Sequence, residues 1–142
     1  MNFPILSSLI LLPAVGALFL FFTRSNKENN ITVKYVALFT SLVNFFLSIY
    51  LWILFDQSTS EFQFVEDRVW IKDLINYKVG IDGISILFII LTTFITPLCI
   101  ISVNNSIKNR LSEFLIAILI MESFMIGVFC SLDLIVFYLF FE

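Results

Sequence analysis

Residues 110–142 read RLSEFLIAILIMESFMIGVFCSLDLIVFYLFFE, and the disposition of this stretch decides the fold. An apolar run carries Glu122 near its middle, breaks at Ser131, Leu132 and Asp133, resumes, and reaches Glu142. At ~1.5 Å rise per residue, a helical reading puts Glu122 ~12 Å before the break and Glu142 ~14 Å after it. In an antiparallel helical hairpin both carboxylates then fall near the midplane of a bilayer core ~30 Å thick. An ionisable group at that depth costs ~2.5–3.5 kcal/mol on insertion scales and marks a proton or ion site. One such Glu is read equally well as a neutral side chain bonded to a neighbouring helix. Two at matched depth favour the proton site. Residues 131–142 make a helix of only ~18 Å, too short to span. Neither Gly nor a basic last turn closes it. The expectation is an interrupted chain, the opening part of a longer protein.

Outward from this stretch, composition points to the membrane. Of 142 residues, 60% are hydrophobic and only 13% charged, against ~25% charged in a soluble domain. Phe occurs 18 times and His not at all, which removes the commonest transition-metal ligand. No metal site and no catalytic nucleophile–base pair is expected. A net charge of −3 gives no sign of a nucleic-acid partner. Cys99 and Cys130 sit in apolar runs without CxxC spacing and read as packing residues.

The fold class expected is all-α: a polytopic transmembrane bundle of four full spans and a truncated fifth helix, with one longer outside loop. The spans are 3–22, 31–55, 80–103 and 111–130, with a partial helix over 132–142. The first holds Pro13 and Gly16 and is too long, with no basic start, for a cleavable signal peptide. The second has Tyr35, Tyr50 and Trp52 at headgroup depth. Its one deep, strongly polar residue, Asn44, is expected to make an interhelical hydrogen bond. The 56–79 segment mixes five acids with three bases. Its alternation at 61–66 predicts an extended ribbon or amphipathic piece on the membrane surface, with Trp70 and Tyr77 at the interface. Its charges read as a solvated face. Asp82 opens the third span as a helix N-terminal acid. Pro97 follows Thr92, Thr93 and Thr96, whose hydroxyls can serve backbone groups near a kink. Glu113 is a first-turn acid of the fourth span. Arg24, Lys27, Lys34, Lys108 and Arg110 fall in the first and third links, which places those links on the cytoplasmic or matrix side and the N-terminus outside.

Two segments, VGIDGISILFIILTTFITPLCI and EFLIAILIMESFMIGVFCSLDLIVFYLFFE, resemble the N-terminal part of the subunit M/subunit 4 family of proton-pumping NADH:quinone oxidoreductase, or complex I. LWILFDQSTSEFQFVEDRVW is similar to the loop of the mitochondrial and alphaproteobacterial versions. The resemblance covers essentially the whole chain. It implies that Glu142 matches a fifth-helix acid of the proton-translocation machinery and Glu122 an acidic fourth-helix position. Asp82 matches the acid that opens the family's third helix. Family members have about fourteen helices, and the one bearing the Lys partner of Glu142 follows residue 142.

The function implied is that of an antiporter-like membrane-arm subunit, part of a translocase but inactive alone. A carboxylate beside a Lys favours its charged form, and displacing that charge lets it take a proton. The resemblance puts NADH, FMN, iron–sulfur clusters and quinone on other subunits and no cofactor on this chain. It implies as partners other membrane-arm subunits, the remainder of the same subunit and the lipid of a bacterial or mitochondrial inner membrane. Two alternatives are a subunit of a multisubunit cation/proton antiporter and a scaffold or assembly protein whose acids only lock helices together.

Overall fold

The computed structural model describes residues 4–23, 30–71, 75–103 and 110–142. Long apolar runs become helices because a backbone in lipid must satisfy its own polar groups. The elements are α1 (Ile5–Thr23), α2 (Asn30–Leu54), β1 (Gln63–Ile71), β2 (Ile75–Ile81), α3 (Gly83–Ser102), α4 (Leu111–Cys130) and α5 (Leu134–Phe141). Among the described residues, α1 to α4 are each long and apolar enough to cross a membrane. The helical class expected from the sequence is the one found, with a small hairpin added.

The bundle forms because each long helix buries one stripe. On α2 the stripe is Ala37, Ser41, Asn44, Ser48 and Leu51; on α4 it is Leu111, Leu115, Leu119, Glu122, Ile126 and Cys130. Spacings of three and four residues keep these on one helical face. α1 packs most extensively on α4, and α2 on α3 and α1. The core is divided along its length. Leu6, Leu9, Leu51, Val79, Ile89 and Ile126 belong to one cluster, near the hairpin. Ala17, Leu20, Ala37, Ile100, Leu115 and Leu119 belong to a second, towards the other end. Between the two the stripes turn polar, and that layer holds the candidate site.

The loop after α2 is ordered as an antiparallel hairpin with Gln63 opposite Ile81 and Glu66 opposite Val79. The one-residue shift between these pairs is a bulge, and Phe64 takes a left-handed φ of 54° there. This moves the start of the third span. Residues 80–82, expected to be helical, belong to β2 and the cap. Val79, Gly80 and Ile81 are buried in the hairpin, and the helix begins only after Asp82 accepts from Ser85 N at 2.8 Å. Likewise, residues 132 and 133 precede α5, which Asp133 caps by accepting from Ile135 N. Arg24, Lys27, Lys72, Asp73 and Lys108, counted among the link charges, lie outside the described residues, as does the side chain of Trp70.

Both internal prolines sit inside continuous helices. Around Pro97, Thr92 donates to Phe88 O, Thr93 to Ile89 O and Thr96 to Thr92 O. Near Pro13, Ser123 Oγ on α4 donates to Ile10 O at 2.6 Å.

Candidate functional site

Glu122 is 1% exposed and Asn44 is fully buried. Asn44 Nδ2 donates to Glu122 Oε1 at 2.9 Å, joining α2 to α4 across the centre of the bundle. The interhelical bond expected of Asn44 is therefore present, and its partner is the acid singled out on α4. Glu122 Oε2 and Asn44 Oδ1 are also buried and have no hydrogen-bond partner among the described residues. One turn along α2, Ser48 Oγ lies 2.8 Å from Thr93 Oγ1 on α3. Three helices thus contribute to a single polar layer walled on both sides by Leu, Ile and Ala. A buried head group with one bond made and one atom open can accept a proton or a hydrogen bond without breaking the contact that holds it.

Glu142 stands elsewhere. It is exposed at the surface of the chain and follows Phe141 of α5, its N–H donating to Tyr138 O. It lines a groove between α4 and α5 that also includes Met121 and Met125. Glu122 lines a second groove, between α3 and α4, to which the same two methionines contribute. The two acids therefore open into separate grooves, both of which Met121 and Met125 help to line. α5 is seated by Gly127, where an added Cβ would fall 2.7 Å from the Phe140 ring.

Asp82 is not brought to this layer. It stays at the head of α3, where hydrogen bonds from Ser85 hold its carboxyl below the usual carboxylate range. Cys99 is exposed and Cys130 is buried, and no group of metal-binding side chains occurs among the described residues.

The acid that sequence reasoning missed is Glu66. Rather than facing solvent, its Oε1 accepts from Leu6 N at 3.0 Å and Ser7 N at 3.3 Å, and its Oε2 from Ser7 Oγ. It caps α1 from the hairpin, giving a negative group to the free N–H donors and positive dipole end there. Tyr77 joins through Ser7 Oγ, 3.2 Å from its hydroxyl, and burial pushes the phenol above its usual pKa. No local sequence signal marks a cap supplied from 60 residues away.

The class defined by this architecture is a polytopic helical membrane protein with a carboxylate–amide pair buried at mid-span. No family model matches the chain. It is 46% identical, over 96% of its length, to NADH-ubiquinone oxidoreductase chain 4 of Marchantia polymorpha and to that of Arabidopsis thaliana. It is 44% identical, along its whole length, to NADH-quinone oxidoreductase subunit M of Rickettsia conorii. The chain spans 28–30% of the length of these relatives. Over that length, it is homologous to NADH-quinone oxidoreductase subunit M and NADH-ubiquinone oxidoreductase chain 4.

Proposed function

We propose that the chain serves in the membrane arm of a proton-pumping NADH:quinone oxidoreductase, where Glu122 and Glu142 take up and release protons as electrons pass through other subunits. The observation that carries this reading is Glu122 itself, 1% exposed and held by an amide between two apolar clusters. A carboxylate so placed is costly in the bilayer, and mid-span acids of this kind mark proton relays. NADH, FMN, iron–sulfur clusters and quinone belong to other subunits in this reading. The membrane is a bacterial or mitochondrial inner membrane. The hairpin and the start of α1 face the periplasm or intermembrane space, and the end bearing Lys34 and Arg110 faces the cytoplasm or matrix.

The test is NADH-driven proton uptake into membrane vesicles carrying Glu122→Gln or Glu142→Gln in the assembled complex. The expected result is loss of most of the pumping with normal subunit abundance. Wild-type pumping in either variant removes that carboxylate from the proton path.

A further inference from the structure

The open atoms of the central pair call for hydrogen-bond donors. Glu122 Oε2 and Asn44 Oδ1 are both acceptors, both buried and both unpartnered among the described residues. Buried acceptors of this kind are almost always satisfied, by protein or by internal water. A water molecule brings two O–H donors, and the two head groups are already joined at 2.9 Å.

An approach to Glu122 is built into the groove between α3 and α4. The groove is about 490 Å³ and reaches Glu122, Thr92, Thr96, Cys99, Ser102 and Val103. The two helices run antiparallel, with Phe88 stacked on Phe129 at the far end. Thr92 and Glu122 each stand eleven residues from the facing ends Val103 and Leu111, so they lie at one level. The polar members recur on one face of α3 and pass from exposed Ser102 and Cys99 to buried Thr96 and Thr92. The Thr92 and Thr96 hydroxyls donate to their own helix, which leaves oxygen lone pairs to accept from water. Val103 also lines a neighbouring hollow with Lys34 and Tyr35, and Lys34 Nζ donates to Ile101 O at 3.4 Å. The ladder therefore leads to the end of the bundle that carries Lys34 and Arg110.

We infer that Asn44 and Glu122 form an internal water-binding site, filled along the Ser102–Cys99–Thr96–Thr92 face of α3 from the Lys34 end. Water there donates one hydrogen bond to Glu122 Oε2 and one to Asn44 Oδ1. A proton arriving along the file would bond to Glu122 Oε2 and leave water behind. This inference rests on the proposed proton role for its purpose, but water occupancy is measurable without transport. The groove walls are otherwise apolar, so a lipid acyl chain is the competing occupant. An acyl chain offers no donor to the two open acceptors, and the observations favour water.

The experiment is water-edited solid-state NMR on the chain in lipid bilayers, with carbon-13-labelled Glu and the Glu122 carboxyl signal assigned by its loss in Glu122→Gln. Magnetisation from water should reach the Glu122 carboxyl at a rate comparable to that of exposed Glu61. The double variant Thr92→Val/Thr96→Val should slow the transfer several-fold. Its fold is expected to survive, because those hydroxyls serve only their own helix. Asn44→Leu should slow it as well. A Glu122 carboxyl that receives from lipid methylene protons and not from water overturns the site. Unchanged transfer in the threonine variant overturns the route, and unchanged transfer in Asn44→Leu removes Asn44 from the site. If water reaches Glu122 while Glu122→Gln pumps normally, the water site stands and the proton role falls.

Discussion

Asp82 and Glu122 are both carboxylates held by protein donors, yet their surroundings give them different work. Asp82 meets Ser85 N–H at the head of α3, where water is close and the helix supplies donors. Its depressed pKa sets the sign of a pH effect. A group ionised more readily in the folded state contributes stability that is complete above its unfolded value, here 3.8, and lost as pH falls through the lower folded value. The first turn of α3 should therefore loosen in acid below pH 3.8, read as a lower amide-exchange protection factor at Ser85. Asp82→Asn keeps an acceptor at the cap, and the protection factor in that variant should no longer change across this range. Glu122 has no such supply of backbone donors; a single side-chain amide holds it. The Asp82 cap is legible in the sequence because cap and partner are three residues apart.

Among the elements, what the sequence conveys is set by the range of the interaction. The long helices are legible from apolar runs alone, since each run must settle its own backbone bonds. The hairpin is legible only as an extended ribbon, because pairing Glu66 with Val79 depends on a bulge that alternation does not announce. The Glu66 cap on α1 was not legible at all. Nor was the pairing of Asn44 with Glu122, 78 positions apart, although each was visible as a polar residue in an apolar stripe. The α4–α5 packing tests whether α5 is truly seated. Gly127→Ala should drive a methyl group into the Phe140 ring and destabilise the docked helix by about 1–3 kcal/mol, the usual cost of overpacking. Limited proteolysis at residues 131–133 should then quicken. Phe140→Ala in the same chain should restore part of the protection, since it vacates the space the methyl group needs.

For the molecule as a whole, the exposed surface is as informative as the core. Leu11, Phe22, Phe39, Ile53, Ile84 and Leu134 are all more than half exposed, and large apolar areas of this kind mark contact with lipid or with other helices. The ends differ in character. One carries the hairpin, Asp82 and Asp133; the other carries Lys34 and Arg110. Cysteine labelling in sealed membranes checks this division. With the native cysteines replaced, Ser60→Cys should react with an impermeant thiol reagent from outside, and Arg110→Cys only after the vesicles are opened. Labelling of both from one side would overturn the orientation.

The corner between α4 and α5 is not a loose joint. Ser131 bridges to Val79, and Leu132 N–H donates to Lys78 O at 2.9 Å, so the turn is sewn onto the ribbon as though it were a stub of third strand. Whatever grips that ribbon from outside the bilayer also holds the reins of the helix ending in Glu142. A tug on the extramembrane handle would be felt, about two helical turns away, by the acid.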